Sequence, residues 1–283
     1  MTSTAMEGES GHSREQLSSF YERAYTREPS ESALHGRWRA LGAVGKADHV
    51  IALCALARLN PASTLEVGCG DGALLCELHR RNFGGTLAGA EITEAAAAIA
   101  RARPEIETVT VFDGARLPFA DAGYELGLLS HVLEHVPDPV SLLVEVARAC
   151  RAVLIEVPLE ANLSARRAAK RRGSAAVGHL QRLDRRSMRE IVRRADMRVA
   201  FELEDPLPLR VHLFHAQTPF ARIRAAAKWA LRRALHGLAP PLARRVFTLH
   251  YACLCLPLHR DDALARSSGS AGVDGESPAR GAG

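Results

Sequence analysis

Three groups of side chains in this 283-residue sequence have types and spacings that could do chemistry. The first is His131-x-x-Glu134-His135, which fits the H-x-x-E-H pattern of inverted zinc peptidases. The second is a glycine loop, Gly68-x-Gly70-x-Gly72, directly after a short apolar run. The third is a pair of carboxylates, Glu91 and Asp113, each closing a later apolar run. A zinc platform would need His131 and His135 on one helix face, because positions i and i+4 point their side chains the same way. Pro137 and Pro139 follow closely, and each disfavours a helical conformation in the residue before it. At most one or two turns fit, and no downstream residue offers itself as a third ligand. No metal is expected, and the two histidines are read as belonging to a loop at a strand end.

The elements that must hold these residues alternate. Helical patterns cover 14–26, with Leu17, Phe20 and Tyr21 on one side, and 43–59, stopping before Pro61. Short apolar runs at 64–67, 86–90, 109–112, 125–129 and 152–157 read as strands. Helices are expected between them, at about 73–81, 95–101 and 139–149, and a further one near 185–195 capped by Asp184. This alternation predicts an α/β fold, a doubly wound, Rossmann-like, mostly parallel sheet with helices on both faces. Residues 246–256 read as a last strand re-entering the sheet, so 200–245 is expected to be a helical insertion that shapes a second pocket. In such sheets ligands bind outside the carboxyl ends of the strands, which singles out the residues just named.

Glycines after the first strand let the chain turn sharply and let a ligand approach the backbone. The bare alternative is a tight strand-to-helix turn; Gly68-x-Gly70-x-x-Ala73 also satisfies a dinucleotide fingerprint. Glu91, about 20 residues on, is placed to accept ribose hydroxyls. Asp113 could accept from the exocyclic amino group of adenine, although either residue could equally be a helix-start or turn former. A glycine loop and carboxylates at successive strand ends are hard to explain separately.

In these stretches the chain resembles the class I S-adenosylmethionine-dependent methyltransferases, and within them the small-molecule branch related to ubiquinone and menaquinone methyltransferases. The matching segments are LEVGCGDG (65–72), GAEIT (89–93), FDGARLPFADAGYELGLLSHVLEH (112–135) and, less specifically, VLIEVP (153–158). The resemblance implies S-adenosylmethionine as cofactor. It implies that Glu66 and the backbone of Gly68, Gly70 and Gly72 hold its methionine end, with Cys69 in the same loop. Glu91, with Ile92, takes the ribose. Asp113, Gly114 and Ala115 take the adenine, and Ser130 and His131 lie beside the methyl donor. The family's usual Phe-Asp before strand four is Tyr124-Glu125 here, which keeps shape and charge.

Methyl transfer is mainly alignment, and a general base is needed only when the acceptor must lose a proton. His131, His135 and His179 are the candidate bases. Arg166, Arg167, Lys170, Arg171 and Arg172 form a basic cluster after strand five, which suits either solvent or an anionic acceptor. Phe220, Ile223, Ala227, Leu231, Leu235 and Leu238 form an apolar stripe at helical spacing among arginines. Core packing is favoured for it over contact of 219–238 with an anionic membrane.

The net charge of +5 comes with an arginine and alanine bias that a GC-rich genome would also produce, so it carries no functional weight. The six cysteines contain no C-x-x-C pair and suit buried thiols in a reducing cytoplasm. The expected organisation is an N-terminal helical or disordered extension (1–33), a cofactor-binding core (34–160), a second half of the same domain with the acceptor pocket (161–257) and a disordered tail (258–283). The expected activity is methylation, on oxygen first of all, of a natural-product, glycan or lipid-linked acceptor. No nucleic-acid partner is expected, because the Asn/Asp-Pro-Pro-aromatic motif of base methylation is replaced by Ser130-His131-Val132-Leu133. RNA methylation, a nicotinamide oxidoreductase and a non-catalytic cofactor binder are the alternatives.

Overall fold

The computed structural model describes residues 29–167 and 178–258 and, beyond these, Ser19, Glu22, Tyr25, Thr26 and Arg172. The expected tail, most of the expected helix at 14–26, and Lys170 and Arg171 of the basic cluster lie outside the described residues.

Seven strands form one sheet in the order β3-β2-β1-β4-β5-β7-β6. They are β1 (Ser63–Val67), β2 (Thr86–Glu91), β3 (Thr108–Val111), β4 (Tyr124–Ser130), β5 (Cys150–Leu159), β6 (Met197–Asp205) and β7 (Leu249–Pro257). The first five pair in parallel, and β7 enters antiparallel between β5 and β6. β1 is the switch point: the chain runs one way to β2 and β3 and the other way to β4 and β5. The crevice above β1 and β4 is therefore where a doubly wound sheet opens to a ligand.

Apolar strand residues face helices on both sides. Leu126, Leu128 and Leu154 pack with Val50 and Leu53 of α1 (Pro29–Leu56) and with Leu74 and Leu78 of α2 (Ala73–Arg80). Leu65, Val67 and Ile155 pack on the other side with α4 (Pro139–Ala149) and α5 (Arg185–Arg194). α3 (Glu94–Arg101) lays Ala97 and Ala100 against Leu87 and Val109. Asp184 caps α5 as its type predicts: its carboxylate accepts from the Ser187 amide at 2.7 Å. Glu125, the departure before β4, accepts from the Ala62 amide at 2.8 Å and ties the start of β4 to that of β1.

Three expectations need correction. α1 begins at Pro29, so the boundary drawn between 33 and 34 falls inside a helix. Residues 200–205 belong to β6, the edge strand, and not to an insertion. The helices α6 (Leu209–Leu213), α7 (Pro219–Leu238) and α8 (Pro240–Val246) lie between β6 and β7. The apolar stripe of α7 also does not pack: Phe220, Ile223, Leu231 and Leu238 are 61–88% exposed. The half-buried side of the helix carries Ala225, Trp229, Arg232 and Leu235 instead, and the Trp229 indole donates to the Leu207 carbonyl at 3.1 Å.

Candidate active site

The glycine loop has the backbone its sequence calls for. Gly68, Gly70 and Gly72 have φ of +75°, +55° and +75°, a region that costs other residues roughly 1–2 kcal/mol. A Cβ on Gly68 would stand 2.6 Å from Val132 Cγ2, and one on Gly70 would stand 2.5 Å from the Tyr25 hydroxyl. Gly72 does a different job. It precedes α2, and a Cβ there would run into Ile106. Gly72 does not line the cavity described below, so it serves packing rather than ligand contact.

Glu91 fastens the loop to the end of β2. Its Oε2 accepts from the Gly70 amide at 2.8 Å, and its Oε1 accepts from Ile92 and Thr93 amides at 2.8 and 3.2 Å. A carboxylate has about four acceptor positions, so Oε2 keeps one for a further donor. Glu66 lines that same cavity and is buried, and its Oε2 has no hydrogen-bond partner among the described residues. Burial pushes its carboxyl up to about 8, against the pull of Lys46. Asp113 Oδ1 accepts from the amides of Ala115 and Arg116 at 2.8 and 2.9 Å and so shapes the turn after β3. Burial raises the Cys69 thiol far above its ordinary range. Cys69 Sγ sits where a Cβ on Gly89 would stand, which makes it a packing residue.

One cavity of about 890 Å³ runs from this loop past the end of β4. Every residue singled out from the sequence for the cofactor or for catalysis lines it, except Gly72. His131 follows β4 in a left-handed conformation, φ +59°. The expected absence of a long helix after it is observed: only a 3-10 turn, Leu133–His135, fits before the prolines. His131 and His135 face different partners. His131 Nδ1 donates to Glu134 Oε1 at 3.0 Å, and its Nε2 lies 3.2 Å from His250 Nδ1. His135 Nδ1 donates to the Gly178 carbonyl at 3.1 Å. Its ring stands edge-on to that of His179, 4.7 Å between centroids. His179 Nδ1 donates to Glu160 Oε2 at 2.9 Å.

Charges in this wall are set by burial and by partners. Burial opposes ionisation of Glu134, but the His131 hydrogen bond holds it down at about 2. Glu156 is also buried, yet hydrogen bonds from His131, His250 and His49 hold it well below the usual carboxylate range. Burial opposes the charge on His49, whose hydrogen bonds with Asp205 and Glu156 nevertheless raise it to about 10. Burial lowers His135, leaving it neutral near pH 7.

Tyr25, Arg39, Lys46, His49, Glu156 and His250 line the cavity without having been singled out. Arg39 sits over the Tyr25 ring and bonds Asp71 at 2.8 Å, which holds Tyr25 against Gly70. A lone Glu in the apolar run 153–158 and a lone His in 249–257 were the available signals for the last two.

A left-handed glycine loop at the switch point, a carboxylate fastening it and a cavity past β4 define a nucleotide-cofactor site of the doubly wound class. The chain belongs to the methyltransferase-domain family, whose model matches residues 36–200. It is a class I S-adenosylmethionine-dependent methyltransferase. Phosphoethanolamine N-methyltransferase 2 of Haemonchus contortus is similar in fold (TM-score 0.55, 11% identity, 85% of this chain and 60% of that one). So is magnesium protoporphyrin IX methyltransferase of Synechocystis PCC 6803 (0.51, 15%, 86% and 97%). Geranyl diphosphate C-methyltransferase of Streptomyces coelicolor A3(2) gives 0.50 and 13% over 69% and 70%. No curated protein matches the sequence significantly.

Proposed function

We propose that this protein transfers a methyl group from S-adenosylmethionine to the oxygen of a small-molecule acceptor held in the cavity past β4. The observation that carries the reading is Glu66 Oε2, a buried carboxylate oxygen with no partner among the described residues, beside a glycine cradle. Such an atom asks for a donor from a ligand, and the ammonium of the methionine end is one. Glu91 Oε2 then takes a ribose hydroxyl, and the turn built on Asp113 receives the adenine. When bound, the cofactor supplies an electrophilic methyl group.

The acceptor's proton goes to His179. Glu160 orients its ring through Nδ1, the arrangement in which a carboxylate holds a histidine ready as base. His135, kept neutral by burial, walls the same corner. The exposed stripe of α7 supports a lipid-linked acceptor delivered from an anionic bilayer. Residues 206–258 contain eight Arg and Lys and no Asp or Glu. An apolar face flanked by cations is the pattern of a helix lying in such an interface. No described helix is long and apolar enough to cross a membrane.

Calorimetry with S-adenosylhomocysteine and NAD on one sample tests the cofactor half: the former should bind and the latter should not. Binding of NAD alone would remove the reading. An acceptor screen with labelled S-adenosylmethionine tests the rest. His179→Ala should lower kcat while leaving S-adenosylhomocysteine affinity intact, and an unchanged kcat would remove the base assignment.

A further inference from the structure

The cavity wall past β4 holds a second arrangement, to which the proposed function assigns no role. His131 Nε2, His250 Nδ1 and Glu156 Oε1 form a nearly equilateral triangle, with edges of 3.2, 3.3 and 3.5 Å. Ligands about 2.0–2.1 Å from a zinc ion at tetrahedral angles lie about 3.3–3.4 Å apart. We infer that these three atoms are one face of a divalent transition-metal site, with zinc as the ion whose geometry they match.

The surroundings fix the lone pairs. Glu134 accepts from His131 Nδ1, so an ion that displaces the Nε2 proton facing Glu156 would meet the lone pair of Nε2. His49 Nδ1 donates to Glu156 Oε2 at 3.1 Å, which turns Oε1 inward. His49 Nε2 in turn donates to Asp205 at 3.1 Å. The three contacts among these atoms, 3.2, 3.3 and 3.5 Å, are all long for hydrogen bonds. A cation satisfies all three donor atoms at once. Both the histidine–carboxylate pair at His131 and the doubly held Glu156 are the outer-shell supports that metal ligands carry.

The backbone builds this face in advance. The ligands come from the ends or interiors of three neighbouring strands. Ser130 pairs with Glu156, and His250 pairs with Pro158. The His131 amide donates to the Glu156 carbonyl at 2.9 Å, which helps hold His131 at its left-handed φ of +59°. A non-glycine residue in that region costs of order 1–3 kcal/mol, and such outliers cluster at functional sites. The side chains of His131 and His250 are 23% and 18% exposed, and all three ligands line the cavity. Three protein ligands with an open fourth position are the pattern of a catalytic site rather than a structural one. The open position would receive an acceptor oxygen from a hydroxyl or carboxylate. That last role rests on the proposed methyl transfer; ion binding does not.

The test uses the full chain, stripped with a chelator and titrated with cobalt(II) in the absence of cofactor. One equivalent should bind with the intense visible bands of a tetrahedral ion, and zinc should displace it. His250→Ala and Glu156→Gln should abolish the bands, and Glu134→Gln should weaken binding by about 10–100-fold. S-adenosylhomocysteine affinity reports that each variant is folded; where His250→Ala fails that check, His250→Asn replaces it. His179→Ala should leave the bands intact. Absence of tetrahedral cobalt binding, bands that survive both ligand changes, or bands lost in His179→Ala would each overturn the site. Failure of the methyl-transfer reading would instead appear as absent S-adenosylhomocysteine binding with the cobalt bands unchanged.

Discussion

If Glu66 takes the ammonium as proposed, cofactor binding should release a proton. In the ligand-free protein its carboxyl stands near 8, raised by burial against the pull of Lys46. An ammonium placed on its unpartnered Oε2 stabilises the charged form and returns the group toward its ordinary value of 4.5. At pH 7 about nine-tenths of the free protein carries the proton, so binding releases close to one. The affinity should then be about tenfold weaker at pH 7 than at pH 9, and about a hundredfold weaker at pH 6. The assay is calorimetry with S-adenosylhomocysteine across that range, repeated in buffers of different ionisation heat to count protons. The ligand's own ammonium also titrates, so Glu66→Gln is the control: it should lose the slope assigned to Glu66. Stability gives a second check. A carboxyl raised in the folded state contributes stability that is complete below about 4.5 and is lost as pH rises through about 8. Glu66→Gln should therefore raise the Tm of the free protein more at pH 9 than at pH 5. A slope that persists in Glu66→Gln, or no slope at all, would refute the placement of the ammonium.

Gly70→Ala forces alanine to φ +55° with its Cβ 2.5 Å from the Tyr25 hydroxyl. It should cost about 1–2 kcal/mol by denaturant melts and weaken S-adenosylhomocysteine in calorimetry. Glu91→Ala removes the acceptor for the Gly70, Ile92 and Thr93 amides. Affinity and Tm should fall together, and unchanged affinity would remove the ribose role. Met188→Ala empties a fully buried position where α5 meets the sheet, so unfolding should lose about 2–5 kcal/mol while cofactor affinity holds. Replacing Phe220, Ile223, Leu231 and Leu238 with Ser should abolish co-sedimentation with phosphatidylserine vesicles and spare S-adenosylhomocysteine binding. Equal sedimentation of both forms would remove the bilayer contact.

The parts of the site legible in the sequence are those built locally. Most residues proposed to face the cofactor stand on the turn that ends their own strand. Gly68 and Gly70 follow β1, Glu91 closes β2 and Asp113 follows β3, so a short stretch specifies both residue and geometry. β6 was legible too: Met197, Val199, Phe201 and Leu203 alternate with charged and small residues, the period of a half-buried strand. Reading the region as an insertion from residue 200 passes over that period. The stripe of α7 shows the opposite limit. Its spacing identifies an apolar face, but most of that face is exposed, and the side that meets the rest of the fold carries Trp229.

The histidine–carboxylate wall is written in register, and that places it beyond any local reading. Glu156 stands alone in an apolar strand, and His250 does the same a hundred residues later. A buried carboxylate must find partners, so Glu156 could be flagged as needing some. Which ones it finds depends on β7 entering antiparallel between β5 and β6, a choice no segment of the chain specifies by itself. That antiparallel entry brings His250 to Glu156 and, across it, to His131 at the end of β4. The H-x-x-E-H pattern therefore contains the first residue of this cluster but not the others. His131 and His135 diverge, and the groups that complete the cluster around His131 come from the strands beside it. The site thus divides at β4. The side proposed for the cofactor is fixed by strand-end motifs, and the histidine–carboxylate cluster by pairing. Substitutions at 250 should accordingly alter the acceptor side while leaving the glycine loop and its carboxylates as they are.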